Sequence, residues 1–419
     1  MKKVKLWTLY KDSSFILKMT IGFISGILVG VIIGPPAEVI KPLGTVLINL
    51  LSMIATPVVF LTVVLAVNKM NPKELGRTGG KLILYYGTTT AAAVLIGLGL
   101  ALWINPGESL SLPNVSVDEP ANPSFSDVLL NIVPSNLFNA FSSGNLMAIL
   151  FLAIIVGFTI SNMNYANDEK MKRYGSYLQN LFEAGNALFF KILNGILYYA
   201  PIGIFSIAAS TFGTQGWDTF TSLLKFSAVF YLGIILLWVF IYTGMLRIFK
   251  VPVRHFYAQT KDAFTTAFFT SSSIATLPVA MESAKKAGIS DKIVHFSLPL
   301  GAVFNSDGGA LRMGASIVFA ANVTGANFSL MDLVTIVLVG TLLSIGTAGV
   351  PAAGLVTLAA VLTLFDLPLE IVALIAGVDA LIGMGGTASN VVGDIIGAAV
   401  VDKSEKKSTH SNQLAVDTD

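Results

Sequence analysis

"AFTTAFFTSSSIATLPVAMESA", residues 263–284, and "VTIVLVGTLLSIGTAGVPAAGLVTLAAVLTL", residues 334–364, are built alike. Each is apolar at both ends and carries a Ser/Thr/Gly cluster in the middle. A proline follows seven residues after a serine of the cluster, Ser271 to Pro278 and Ser344 to Pro351. An apolar–polar–apolar segment that enters and leaves on one side of a bilayer is a re-entrant hairpin. Its non-helical tip is tolerated at membrane depth only where protein buries it or it lines a wet cavity. Each hairpin is followed by an apolar span with an Asn and an Asp: Asn305 and Asp307 after the first, Asn390 and Asp394 after the second. The chain thus repeats a unit of hairpin plus helix.

The composition agrees with a membrane setting. The 419 residues are 54% hydrophobic and 12% charged, against roughly 25% charged in soluble domains. Runs long enough for about 30 Å of hydrocarbon recur. Expected spans are 15–34, 43–68, 80–104, 127–162, 178–211, 219–248, 291–322 and 370–401. The fourth is overlong and should break at "PSNLFNAFSSGN", residues 134–145. The first follows the lysines of "MKKVKLWTLYK" and lacks a small-x-small cleavage site, so it reads as a retained helix. Cationic loops mark the cytoplasmic side. They are "NKMNPKELGRTGGK", "NDEKMKRYG", "RIFKVPVRH", "KKAGISDK" and the tail "DKSEKK". "NPGESLSLPNVSVDEPANPSFSD" and "FDLPLE" are acidic, without Lys or Arg. The alternation predicts an all-α polytopic protein with eight transmembrane helices, two re-entrant helical hairpins and both termini in the cytoplasm. By the same charges the hairpins enter from opposite sides, so the repeats are inverted, the architecture of secondary transporters.

The absence of cysteine excludes disulfides, iron–sulfur clusters and thiolate metal sites. Only His255, His295 and His410 occur, and none lies near the serine tips in sequence, which argues against an intramembrane enzyme. The basic residues sit in short loops, so no nucleic-acid partner is expected. Within "FNSDGGALRMG", residues 304–314, Asp307 and Arg312 stand among Gly301, Gly308, Gly309 and Gly314. Ionisable groups inside a membrane default to functional readings. Asn305, Gly308 and Gly309 are expected to unwind the seventh span and free carbonyls. In the eighth, Asp379, Gly383, Thr387, Asn390 and Asp394 recur at helical steps along one face. Hard cations take oxygen ligands, so Asp307 and Asp394 are the candidate charged ligands.

Six motifs in order resemble the glutamate transporter family, the dicarboxylate/amino acid:cation symporters. They are "LGRTGGKLILYYGTTT", "YYAPIGIF", "TSSS", "LPLGAVFNSDG", "SIGTAGVPAAG" and "GVDALIGMGGTASNVVGD". The resemblance covers nearly the whole chain. It implies a homotrimer in the plasma (inner) membrane. Residues 1–78 and 106–215 would form a scaffold. Residues 79–105 and 216–403 would form a transport domain moving like an elevator, with 404–419 a flexible cytoplasmic tail. It implies sodium as coupling ion and no cofactor. One sodium site resembles Gly301, Asn305 and Asn390 with the Asp394 carboxylate. A second resembles Tyr86, Thr89, Thr90, Asn305 and Asp307. A third resembles Ser344, Ile345 and Thr347 with Val303 and Ser306, where Ser306 replaces the family's usual methionine. Substrate would meet Ser271, Ser272 and Ser273 at the first tip and Gly349, Val350 and Gly354 at the second. It would also meet Arg312, Asp379, Gly383, Gly386, Thr387 and Asn390. Ser272, Gly349 and Asn390 should hold its main carboxylate.

The departures from the family pattern cluster around the substrate's distal end. Gly386 replaces the arginine of acidic amino acid transporters, Gly383 the aspartate that meets the amino group, and Gly309 a threonine. Arg312 stands where tyrosine is common. Two readings stay open. Arg312 reaches the second carboxylate from the seventh span, oriented by Asp379 and given room by Gly383 and Gly386, or it is only a structural partner of Asp379. The first favours a C4-dicarboxylate over an acidic amino acid. A neutral amino acid, proton coupling and an ion channel are the alternatives.

Overall fold

The computed structural model describes residues 15–68, 78–110, 133–142, 145–344 and 353–416. Helices and turns, without strands, make up the described residues. The helices are α1 (Phe15–Ile33), α2 (Lys41–Asn68), α3 (Gly80–Ile104), α4 (Leu137–Ser142), α5 (Leu146–Asn164), α6 (Glu169–Gln215), α7 (Trp217–Leu236), α8 (Thr243–Ile248), α9 (Val253–Thr270) and α10 (Ser273–Lys286). They continue with α11 (Asp291–Phe304), α12 (Asp307–Thr324), α13 (Leu330–Ser344), α14 (Ala353–Leu364), α15 (Glu370–Ala376) and α16 (Asp379–Val416). A π-helical turn, Leu237–Tyr242, joins α7 to α8. Among the described residues five stretches are long and apolar enough to cross a membrane: Pro35–Asn68, Gly80–Ile104, Glu169–Gln215, Trp217–Ile248 and Asp379–Lys406.

The expected break in the fourth span falls between α4 and α5, where Asn145 Oδ1 accepts from Ala148 N and caps α5. The fifth span is longer than the apolar pattern predicts. Asp168 caps α6 through Lys170 N, so "EKMKRYG" forms its first turns rather than a loop. At the C-terminus α16 runs on to Val416, through most of the expected flexible tail.

α1, α2 and α5 pack on α6. Gly22, Gly26 and Gly30 recur every four residues along α1, on one helical stripe. A Cβ on them would lie 2.5 Å from the carbonyl oxygens of Pro201, Phe205 and Ala209 in α6. Small residues at this spacing let two backbones touch where hydrophobicity alone drives no association. Gly26→Val should therefore lower the thermal unfolding midpoint in detergent, by about 1–3 kcal/mol of overpacking. A midpoint equal to the parent's would mean that the two helices separate freely.

A second set gathers α3, α7, α9 to α13 and α16, with α12 lying along α3, while α14 and α15 bridge the two sets, α14 packing on α2 as well as α12 and α15 on α6 as well as α16. A Cβ at Gly314 would stand 2.5 Å from Val94 O, so here too backbones meet. One end of this set is tied by charge. Lys81 Nζ lies 2.5 Å from Glu405 Oε1. Asp402 accepts from Ser290 Oγ at 2.5 Å and from Lys406 Nζ at 2.6 Å.

The first hairpin appears as α9 and α10 packed together with the chain reversing over Ser271–Ser272. Ser271 adopts a left-handed φ of 49°. Ser272 then caps α10, accepting from Ala275 N at 3.2 Å. The arms of the second are α13 and α14; Ile345, Thr347, Gly349 and Val350 lie outside the described residues.

Candidate functional site

The seventh span does break, but not at its glycines. The interruption is Asn305–Ser306, between α11 and α12, and Gly301, Gly308, Gly309 and Gly314 are all helical. Their smallness serves close approach instead. A Cβ at Gly301 would meet Tyr86 Oη at 2.5 Å and the Asp394 carboxylate at 2.7 Å, and one at Gly308 would lie 2.5 Å from Gly386 O. The main chain of α12 thus lies directly on that of α16.

Two buried carboxylates flank the break. Asp307, with no exposed surface, starts α12. Its Oδ1 accepts from Thr90 Oγ1 at 2.8 Å and Thr89 Oγ1 at 3.2 Å. Its Oδ2 accepts from Tyr242 Oη at 2.7 Å. Asp394, also buried, accepts at Oδ1 from Asn305 Nδ2 at 3.0 Å. Asn305 Nδ2 also reaches Asn390 O at 3.4 Å, while buried Asn305 Oδ1 has no hydrogen-bond partner among the described residues. Asn390 Oδ1 accepts from Gly308 N at 2.8 Å, and its Nδ2 faces Ser306 Oγ at 3.4 Å. Among the described residues no Lys, Arg or His forms an ion pair with Asp307 or Asp394.

Gly301, Asn305, Asn390 and Asp394 therefore come together as the sequence predicts. So do Thr89, Thr90 and Asp307. Tyr86 instead adjoins Gly301 and Asp394, and its hydroxyl donates to Ser297 O at 3.3 Å. Of the third expected set, Ser306 is buried at the break, Val303 is half-buried, and Ser344 donates to Thr341 O at 2.9 Å. Sequence reasoning missed Tyr242 and Ser389. Tyr242 Oη also lies 3.2 Å from Ser389 O, and Trp238 Nε1 donates to Ser389 Oγ at 3.0 Å. The signal for Tyr242 was slight: one phenol in the apolar run "LWVFIYTG".

Arg312, buried, and Asp379, half-buried, form an ion pair through Nη1 and Oδ1. The clearance for the guanidinium lies at Gly354 in α14, where a Cβ would overlap it. Gly383 has open space around its missing Cβ, and a Cβ at Gly386 would stand 3.5 Å from the Phe230 ring. Ser273 is buried, Ser272 is held as a helix cap, and the buried Ser271 Oγ has no partner among the described residues. Thr387 is half-buried on the α16 face that carries Asn390 and Asp394.

This arrangement can supply anionic and neutral oxygens to a desolvated monovalent cation, beside a guanidinium that fits a carboxylate. Comparisons with known proteins point the same way. The chain is 31% identical to a "Proton/sodium-glutamate symport protein" of Bacillus caldotenax over 92% of this chain and 93% of that one. It is 31% identical to a "C4-dicarboxylate transport protein" of Bacillus subtilis, covering 93% and 94%. It is 33% identical to a protein of that description from Cupriavidus pinatubonensis, covering 90% and 89%. The pattern of the sodium:dicarboxylate symporter family matches residues 15–404, and the chain belongs to that family of membrane transporters.

Proposed function

We propose that this protein is a secondary active symporter that imports a small carboxylate, a C4-dicarboxylate or an acidic amino acid, with sodium. The observation that carries this reading is the pair of buried carboxylates at the α11–α12 break, neither with a cationic side chain among the described residues. An isolated buried charge costs several kcal/mol. Hydroxyls and one amide offset part of that; a bound sodium ion would offset the rest. Asp394, Asn305 Oδ1 and nearby carbonyls would hold one ion, and Asp307 with Thr89 and Thr90 another. Arg312, fixed by Asp379, would meet the substrate's distal carboxylate. Relatives named for glutamate and for C4-dicarboxylates both take substrates with two carboxylates.

Movement would follow the two packed sets. α1, α2, α5 and α6 would stand as scaffold in a homotrimer, with apolar residues such as Leu181 and Leu188 of α6 exposed for neighbours. The second set, together with α14 and α15, would slide as one body. In this reading the protein has eight spans and two inverted hairpins, lies in the plasma membrane with both termini inside, and is not an enzyme. Voltage contributes about 2.3 kcal/mol per net charge at 100 mV. Each sodium ion adds about 1.4 kcal/mol per tenfold gradient.

Purified protein in liposomes tests it with labelled succinate, aspartate and serine. Succinate or aspartate uptake should saturate and require an inward sodium gradient, with serine excluded. Uptake driven equally by a proton gradient without sodium would replace the ion. Flux that does not saturate would indicate a channel.

A further inference from the structure

A cavity of about 310 Å³ opens on the flank of the second set, lined by none of the candidate ion or substrate residues, although Val392 of α16, between Asn390 and Asp394, forms part of its wall. It lies between the π-helical turn after α7 and the first arm of the first hairpin. Its wall is aromatic. The Trp238 and Tyr257 rings lie parallel at 5.9 Å, and Phe264 meets Trp238 edge-on at 5.4 Å. Val239 and Phe264 are exposed at the rim, and neighbouring Ile235 and Phe240 continue an apolar surface along the same helix. A face of this character at membrane depth touches lipid tails.

One charge stands at this apolar mouth. Lys261 lines the cavity from α9, one turn from Tyr257 and one from Phe264. Two turns back on that face is Arg254. Both are exposed and make no ion pair among the described residues. α9 follows the cationic loop "RIFKVPVRH", so this stripe lies on the side the loop charges mark as cytoplasmic. Lys261 is roughly 12 Å along the helix from Val253, within reach of headgroups for a snorkelling side chain.

The cavity also belongs to a constrained part of the chain. Thr243 Oγ1 donates to Trp238 O at 2.8 Å and lies 3.0 Å from Tyr257 Oη, pinning the π turn to α9. Single π turns recur at functional sites. This one carries Trp238 toward the cavity and Tyr242 toward Asp307.

We propose that this cavity binds one anionic phospholipid of the cytoplasmic leaflet, an acyl chain lying against Trp238, Tyr257 and Phe264 and the phosphate meeting Lys261 and Arg254. The apolar wall accounts for the chain, and two basic residues without acidic partners account for the headgroup's sign. A neutral lipid would fill the wall but leave the cations unmatched.

The test uses the full-length protein in vesicles. Trp7, Trp103 and Trp217 are changed to Phe, leaving Trp238 as sole reporter. Phosphatidylglycerol with brominated acyl chains is titrated into phosphatidylcholine vesicles and compared with brominated phosphatidylcholine. Trp238 should be quenched at a roughly 25-fold lower mole fraction of the phosphatidylglycerol, as each of the two basic residues near an anionic surface contributes about fivefold. Lys261→Gln should reduce that preference by about fivefold and Lys261→Gln/Arg254→Gln should abolish it. Equal quenching by both lipids, or a preference unchanged in the double variant, would overturn the proposal. The chain with all its tryptophans supplies a second measurement, phospholipid retained after detergent exchange. It should keep more phosphatidylglycerol than Lys261→Gln does, and equal retention would also overturn the assignment.

Discussion

Arg312→Ala is expected to lower affinity for a two-carboxylate substrate by roughly thirty- to several-thousand-fold, the range for losing one partner of a desolvated charge pair. Sodium binding should change little, because the proposed ion ligands lie at the α11–α12 break. The structure supplies a complication that the experiment must answer. Arg312 is paired with Asp379, and removing it leaves a half-buried carboxylate unpaired, which itself costs stability, less than the about 3–5 kcal/mol of a fully buried pair. The double variant Arg312→Ala/Asp379→Ala removes both charges and most of that penalty. It should remain folded yet bind succinate no better than a monocarboxylate of the same length. Parent-like succinate affinity in the double variant would reduce Arg312 to a structural partner. Lysine at this position should rescue only partly, since the planar fork is lost.

Asp394→Asn and Asp307→Asn should each lower sodium affinity by at least about tenfold, or about 1.4 kcal/mol. Both substitutions keep side-chain volume and remove charge. At Asp307 the new amide oxygen can still accept from Thr89 and Thr90, and its NH2 can donate to the Tyr242 hydroxyl oxygen, so the fold should survive. At Asp394 the hydrogen bond from Asn305 Nδ2 can persist while the anion is gone. Sodium titrations monitored by substrate binding measure the change. Unchanged sodium dependence in both folded variants would mean that the carboxylates are neutral in the working protein and that the ion sits elsewhere.

The parts of this site legible in the sequence are those written locally. The Asn305/Asp307 and Asn390/Asp394 pairs, the serine tip and the break in the fourth span all announce themselves within a dozen residues. The Arg312–Asp379 pairing also followed from the motifs, because two opposite charges in apolar spans have few places to go. Tyr242 did not, since its partner is 65 residues away and a phenol in an apolar span resembles packing. The glycines misled for a related reason. Glycine favours a break when the chain is read alone, but here Gly301, Gly308 and Gly314 make room for neighbours from other helices, Tyr86 and Asp394, Gly386, and Val94, while Gly309 faces Ser306 of its own span. Glu169 to Gly175 were hidden in a loop because charged residues carry no apolar period, although the Asp168 cap starts a helix there.

The glycine stripe of α1 has a consequence for biosynthesis. Its partner carbonyls on α6 belong to Pro201, Phe205 and Ala209, roughly 180 residues further on, so at 5–20 residues per second the ribosome delivers them about ten to forty seconds later. During that interval the nascent first helix has a bare groove facing lipid, able to pair with the same groove of another nascent chain. Synthesis that stalls before α6 emerges should therefore leave truncated products that cross-link to one another through positions beside Gly22, Gly26 and Gly30, and completion of α6 should dissolve those pairs.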